Sequence, residues 1–584
     1  MGGWSGKTRN RLIFLYWLFT LFYICLIVRL AGLQWLKNER LQQLARYQQE
    51  GDIEVPALRG DIRDRNGVVL ANSISLSSLA ANPKEVKDVA GATRRLSALL
   101  DMPEKRVQEA LVGKGTFQWI ARKVPDEVAR SLKEQPIPGV FLLREPTPGR
   151  RYYPKGRLLC HLMGATGLDE QGLDGLEASY DEYLGGSPGV LRTFMDRDGW
   201  MIPVEQSRLI KKAVPGRHLV LTIDETIQYV AERELNAAVK LRNAKGGICI
   251  VMDAKTAGIL ALAVAPDFPA EKFSEVPPEV RRNRAITDPY EPGSTFKVFT
   301  MATAVNNGIK PTDLFPSSGV ISIGGWTINN ANDGLGAQAM EPISEILAFS
   351  FNVGTAHVAL RLGKKILCKG LEDFGFGYRT GVDLTGESEG IMAPLKDWEE
   401  INLMTISFGQ GVAATPMQLV SAMQAIANKG VRLKPHVVQE VLNPDNTVYK
   451  KIPVKEINRP ITPESAATML QMLRGVCDHG TGKHFANIPG YRTGGKTGTA
   501  QVVHNGAYGD TYIASFLGVC PVEDPRIVVL VKVEEPTPIY WGGTVAAPVF
   551  ARVAQEAMWK LGVNPSHPEE ISSAAQGGQN SEPR

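Results

Sequence analysis

The chain has 584 residues, of which 43% are hydrophobic and 22% charged, and it carries a formal net charge of +4. That length supports sizeable cores in more than one domain, and the apolar content excludes a largely disordered chain. With 65 basic against 61 acidic residues there is no broad polyanion-binding surface, so an anionic substrate has to be held by a few local groups.

Residues Leu12 to Val28 are apolar or aromatic apart from Thr20, and the apolar character resumes after Arg29 through Leu30-Ala31-Gly32-Leu33. A run of about 20 such residues crosses a bilayer core, with Arg29 snorkelling at its end. No small-x-small site follows, so residues 12–33 read as an uncleaved anchor rather than a signal peptide, behind a tail of residues 1–11. Lys7, Arg9 and Arg11 precede the span while Arg29, Lys37, Arg40 and Arg46 follow it, which leaves orientation open by charge alone. Leu36, Leu41, Leu44 and Tyr47 among polar residues predict a helical stalk over 34–50.

Asn66-Gly67 between short apolar alternations predicts a hairpin. Residues 84–136 read as mixed helix and loop without a site. A boundary is expected near Val214-Pro215-Gly216, followed by a strand over His218 to Asp224 and a helix from Gln228 to Lys240. Gly247 to Asp253 and Gly258 to Ala263 read as a hairpin. The stretch from Ser294 to Lys429 is helix-rich, strands return near 495–503, 514–520 and 527–533, and a last helix is expected near Ala547 to Leu561. This order argues an α+β fold with an antiparallel sheet and a helical lobe. The tail, 563–584, is too polar to bury surface and is expected to be disordered. Cys25, Cys160, Cys249, Cys368, Cys477 and Cys520 have no paired spacing and read as free, mostly buried thiols. Cys477-Asp478-His479 reads as a loop rather than a metal site.

Three short stretches carry chemistry. In Glu291-Pro292-Gly293-Ser294-Thr295-Phe296-Lys297, a chain break precedes a helix start that sets Ser294 and Lys297 on one face. A serine hydroxyl needs a base to become nucleophilic, and a desolvated lysine can serve. Ser350-Phe351-Asn352 adds a hydroxyl and an amide, and Lys496-Thr497-Gly498-Thr499 adds a cation beside two hydroxyls. Each alone has an ordinary reading: a helix start, a helix cap, a turn. In this order they resemble the Ser-x-x-Lys, Ser-x-Asn and Lys-Thr-Gly set of penicillin-binding proteins and class A β-lactamases, and the chain as a whole resembles a class B penicillin-binding protein.

The resemblance spans about Leu12 to Leu561. Arg59-Gly60-Asp61 through Ala71, Arg151-Tyr152-Tyr153-Pro154 and Gly172 to Glu177 look like motifs of that family's non-catalytic domain. It implies an elongated pedestal over 34–214, resembling the class B dimerisation domain, and a penicilloyl-serine transferase domain over 215–562. It further implies a D,D-transpeptidase in which Ser294 is acylated by a D-Ala-D-Ala stem peptide, Lys297 takes its proton, and Ser350, Asn352 and Lys496 complete one network. Thr497, Gly498 and Thr499 would bind substrate along a strand edge, and the N–H groups of Ser294 and Thr499 would form the oxyanion hole.

Gly409-Gln410-Gly411, Thr415-Pro416 and Tyr540-Trp541-Gly542-Gly543-Thr544 resemble segments beside the family's pocket. No cofactor or metal is implied, and β-lactams are expected to acylate Ser294. The implied place is the bacterial cytoplasmic membrane, single-pass, with the catalytic domain outside. Asn352, where elongation-type relatives often carry an acid, and the short chain favour the division-specific septal type. An elongation- or sporulation-specific relative stays open. For the septal type the implied partners are a polytopic glycosyltransferase and other division proteins. Rivals of another kind are a β-lactam-sensing receptor, an inactive scaffold and a D,D-carboxypeptidase.

Overall fold

The computed structural model describes residues 6–36, 50–74, 77–113, 115, 117–144, 150–167, 169–194, 208–323, 325–331, 336–504 and 507–570. Helix Gly6–Ala31 continues as a π-helical turn over Gly32–Leu36, and 6–35 is the one described helix long and apolar enough to cross a membrane. Most of the expected stalk, 37–49, and residues 571–584 of the tail lie outside the described residues. The described chain divides into two compact units. The first holds this helix and a three-stranded antiparallel sheet of Glu50–Val55, Gly189–Phe194 and Arg208–Lys211.

The second unit contains everything else. Its central sheet is antiparallel, in the order Ile259–Ala265, Gly246–Asp253, Ile527–Glu534, Ala507–Cys520, Gly494–His504. Along these strands odd and even positions serve different cores. Cys249, Val251, Val529 and Val531 pack with Ile227, Leu235 and Phe550, while Ile248, Ile250, Val528 and Leu530 pack with Met417, Val420 and Leu473. Both faces being buried, the strands have to be apolar at every position, which is why Ile248 to Met252 shows no alternation. Helices Glu225–Leu241 and Ala547–Lys560 contribute to one core, and Pro416–Ala427 and Pro463–Asp478 to the other. Asp224 caps the first of these by accepting from the N–H groups of Thr226 and Ile227.

One edge of the sheet is closed by a side chain. Buried Gln228 accepts from the Leu262 N–H at 2.7 Å and donates to the Leu262 carbonyl at 3.0 Å, so Ile259–Ala265 meets an amide where another strand would otherwise pair. The opposite edge is Gly494–His504.

The expected hairpin is present: Ile62–Arg63 pairs with Val69–Ile74, and Asp64 accepts from the N–H groups of Asn66 and Val68 at 2.8 Å. Its turn is tied to the start of helix Glu225–Leu241, since Asn66 Nδ2 donates to Asp224 Oδ2 at 2.9 Å. Ile62–Arg63 also pairs in parallel with His218–Leu221, within a six-stranded sheet. At its foot lies a buried ion triad in which both Glu177 oxygens, at 2.6 Å, take the Nε of Arg59 and of Arg151.

Three expectations are corrected. Within 84–136, Gln118–Val124 is a strand, paired with Ser77–Ala81. Its partner lies about 40 residues upstream, so nothing local announces it. Cys477 and Asp478 form the last turn of helix Pro463–Asp478 rather than a loop. The tail does not leave the body at 563: the Val563 carbonyl accepts from Tyr491 Oη at 2.7 Å, the His567 N–H donates to Gly490, and Glu570 pairs with Arg492 at 2.6 Å. Polar residues here are held by pairing rather than apolar burial. The six cysteines are free, five of them buried.

Removing Glu177 would leave two guanidiniums buried without their shared carboxylate. Glu177→Ala is expected to lower stability by about 3–5 kcal/mol, read as a drop in the urea midpoint of the full chain, whereas an unchanged midpoint would show the triad to be neutral.

Candidate active site

Residues Gly293–Phe296 form a 3-10 turn that runs directly into helix Lys297–Asn306. In a 3-10 turn positions i and i+3 eclipse, so Ser294 and Lys297 face the same way, as their spacing predicts. Gly293 has φ +53, and its N–H donates to the Gly409 carbonyl at 3.1 Å. Gly409 is itself at φ +84, and a Cβ there would lie 2.3 Å from the Gly293 carbonyl oxygen, so both glycines are required by the turn.

Ser294 is half-buried and Lys297 completely buried. Lys297 Nζ donates to the Ser350 carbonyl at 2.6 Å and to Asn352 Oδ1 at 2.7 Å, and it lies 3.2 Å from Ser350 Oγ. Burial first, and then the charge of Lys496, hold this amine well below its ordinary value. A neutral amine has two N–H groups and one lone pair. In that neutral form the two carbonyl acceptors take both N–H groups and the lone pair remains for a hydroxyl proton, with Ser350 Oγ the hydroxyl within reach. No hydrogen bond joins Ser294 Oγ to Lys297 in this conformation, a common state of an unliganded site.

Ser350 ends helix Ile343–Phe349 in the left-handed region, with φ 67 and ψ 37, and Asn352 begins helix Asn352–Leu362. A non-glycine residue held there is strained. The conformation serves to turn both its carbonyl and its hydroxyl toward the amine. Asn352 is fixed from its other end, where Nδ2 donates to the Asn329 carbonyl at 2.8 Å.

Lys496 to Thr499 lie on the edge strand, as expected. Lys496 is fully buried, and burial lowers its amine to about 7. Its Nζ donates to the Thr497 carbonyl at 3.1 Å. The expected three-way network is therefore two groups in this state: Lys297 is joined to Ser350 and Asn352, while Lys496 is held by its own strand. The strand abuts the nucleophile turn, for a Cβ at Gly498 would lie 2.9 Å from Thr295 Cγ2 and one at Gly293 would lie 3.0 Å from Ala500 Cβ. That contact brings the backbones of Ser294 and Thr499 side by side.

Several neighbours escaped the sequence reading. Thr481 Oγ1 is 2.7 Å from Thr497 Oγ1, and its only sequence signal is a Gly-Thr-Gly loop after a helix. Glu291 accepts from the Gly411 N–H at 2.9 Å and from Tyr508 Oη at 3.0 Å, so one carboxylate brackets the nucleophile turn, the 409–411 loop and the strand after 507. Of the segments expected beside the pocket, Gly542 donates its N–H to Thr499 Oγ1 at 3.1 Å, and a Cβ there would lie 2.2 Å from the Gly498 carbonyl oxygen. Thr415-Pro416 is a buried capping box for helix Pro416–Ala427.

A helix-start serine and lysine, a left-handed serine with an asparagine, and a Lys-Thr-Gly edge strand define a serine acyl-transfer site of the penicillin-binding kind. Residues 247–555 match the family described as Penicillin binding protein transpeptidase domain, and 54–221 match Penicillin-binding Protein dimerisation domain. The chain belongs to the class B penicillin-binding protein family. It is 35% identical to Stage V sporulation protein D of Bacillus subtilis over 568 residues, covering 95% of this chain and 86% of that protein. It is 32% identical to Peptidoglycan D,D-transpeptidase FtsI of Escherichia coli over 578 residues, covering 94% and 93%. Among solved structures, penicillin binding protein 3 of Mycobacterium tuberculosis complexed with aztreonam superposes with a TM-score of 0.67 at 28% identity, covering 88% of this chain and 99% of that one.

The two amines predict a bell-shaped pH profile for acylation by a penicillin. The rate rises as Lys297 loses its proton, and it falls as Lys496 loses the charge that attracts a carboxylate, near pH 7 in the free protein. In Lys496→Arg the guanidinium stays charged, and the falling limb is expected to move up by more than about one pH unit. A falling limb that stays where it was would assign it to another group.

Proposed function

We propose that the chain is a peptidoglycan D,D-transpeptidase that cross-links stem peptides through an acyl-enzyme on Ser294. The observation that carries this reading is the buried Lys297 amine, which follows Ser294 by three residues, is bonded to the Ser350 carbonyl and Asn352 Oδ1, and is held below its ordinary value by burial. Ser294 Oγ attacks the carbonyl of the penultimate D-alanine, and its proton passes to Lys297. The oxyanion is held by the N–H groups of Ser294 and Thr499, each such donor contributing about 3 kcal/mol in comparable sites. The tetrahedral species collapses as the C–N bond breaks, and the leaving D-alanine amine takes a proton from Ser350, which Lys297 replenishes. A neighbouring stem's amine then attacks the ester, with the same groups acting in reverse.

Substrate lies along the open edge strand, where Gly498 allows close approach and Asn352 meets a substrate amide. Lys496, Thr497 and Thr499 receive the terminal carboxylate, which raises the Lys496 amine again by supplying its counter-ion. A β-lactam presents the same carbonyl and carboxylate and leaves the acyl group on Ser294.

The domain division supporting this chemistry is a membrane anchor over 12–33, a pedestal over 34–214 and a catalytic domain over 215–562 outside the cytoplasmic membrane. The finer role is septal synthesis in division, with a polytopic glycosyltransferase and division proteins as partners, supported by Asn352 and by similarity to FtsI. The similarity to Stage V sporulation protein D favours sporulation as the second reading.

Full-length protein incubated with a fluorescent penicillin is expected to gain one covalent label, seen by intact mass. Ser294→Ala should lose the label and at least about 10³-fold of cross-linking rate. Cross-linking that survives in the variant would refute the nucleophile. Filamentous growth on depletion supports septal synthesis, whereas normal division with failed spores would transfer the role to sporulation.

A further inference from the structure

Arg151 and Tyr153 stand two positions apart at the end of strand Arg150–Tyr152, the spacing that puts side chains on one side of an extended chain. They are 5% and 6% exposed. Arg151 donates from Nε to Glu177 at 2.6 Å and from Nη1 to the Gly60 carbonyl at 2.8 Å. Its Nη2 has no hydrogen-bond partner among the described residues, and neither has the Tyr153 hydroxyl. Buried donors are nearly always paired, so two orphans on neighbouring residues call for an acceptor that the described residues do not supply. Both residues line one cavity of about 620 Å³, with Leu173, Phe273, Glu170 and Glu271 among its other walls. A second cavity, of about 480 Å³, has Leu173 and Phe273 among its walls as well.

The chemistry of the walls narrows the ligand. Around the Tyr153 hydroxyl the guanidiniums of Arg59 and Arg151 are offset by the carboxylates of Glu177 and Glu170. The cavity lining itself carries Arg122 and Arg151 against Glu170 and Glu271, so its charges balance, which favours a neutral ligand. That ligand needs acceptor oxygens for Arg151 and Tyr153, donors for the carboxylates of the wall, and an apolar face for Phe273 and Leu173. A pyranose carrying an acetamido group has all three.

We propose that this groove is a saccharide site that holds an acetamido sugar through Arg151 Nη2 and the Tyr153 hydroxyl. None of its lining residues belongs to the three catalytic stretches, and the assignment does not depend on the acyl-transfer reading.

The test is titration of full-length protein in detergent with N-acetylglucosamine up to about 50 mM, the range suited to a fragment of this size, followed by ligand-observed NMR. Saturable binding is expected, with acetate and N-acetylalanine methylamide binding at least tenfold more weakly. Tyr153→Phe removes only an unpaired hydroxyl, so it should fold with unchanged or higher thermal stability while weakening the sugar about tenfold. Ser274→Trp, at an exposed position of the same cavity, should also block binding and serves if the first variant fails to fold. Fluorescent penicillin labelling is run on each sample to report an intact catalytic domain. No saturable binding in protein that labels normally would overturn the proposal. So would equal affinity in both variants, preference for the peptide amide or for acetate, or a crystal structure at saturating sugar with water alone in the groove.

Discussion

The amine of Lys297 is the constraint around which the catalytic lobe is arranged. A buried amine at zero exposure has to find acceptors for its N–H groups, and a carboxylate among them would favour its charged form. The acceptors are a backbone carbonyl and a side-chain amide, from Ser350 and Asn352. To supply the first, helix Ile343–Phe349 ends on a left-handed serine. To supply the second, the following helix begins at Asn352, and the loop carrying Asn329 holds that amide in place. The charge of Lys496 then adds a second pressure toward neutrality on Lys297, while Lys496 itself is lowered by its own burial.

The sheet answers a different constraint. An antiparallel sheet has two edges, and an open edge pairs with whatever extended chain it meets. Here the edges are treated unequally: Gln228 occupies the backbone groups of Leu262 at one side, while at the other Gly494–His504 pairs with no further strand among the described residues and packs against the Gly293–Phe296 turn. The open edge lies against the nucleophile turn, where glycines at 293, 498 and 542 permit backbone contact. The edge strand and the Ser294 turn thereby lie against each other.

Much of this was legible in the sequence because it is local. The Ser294–Lys297 spacing, the Asn66-Gly67 hairpin, the helix after Asp224 and the final strands and helix all lie in windows of a few residues, where periodicity and turn chemistry act. The eight expected site residues occupy three stretches that the fold brings to one region. What escaped depends on long separations. Glu291 meets Gly411 and Tyr508 across 120 and 217 positions, Gln228 meets Leu262 across 34, and Thr481 is placed by its bonds to Thr497 and to the Ala348 carbonyl. The docked residues 563–570 were missed for a related reason, since their composition is polar and only Gly490, Tyr491 and Arg492, far upstream, give them partners.

The front lobe shows why motifs without chemistry can still be exacting. A carboxylate shared between two guanidiniums is a poor source of stability compared with an apolar core of the same volume, because three groups must be desolvated together. What it provides is geometry: Glu177 can satisfy Arg59 and Arg151 at 2.6 Å only when the chain near 59, the strand at 150–152 and the helix Gly175–Ser179 are in register. The same chain, a few residues beyond Arg59, turns at Asp64 and places Asn66 on Asp224, the cap of a helix packed on the central sheet. Charge pairing at the foot of the lobe and amide pairing at its turn therefore fix two ends of one short segment. The segment between them, Ile62–Arg63, pairs with His218–Leu221 and carries that register into the strand leading to the catalytic fold.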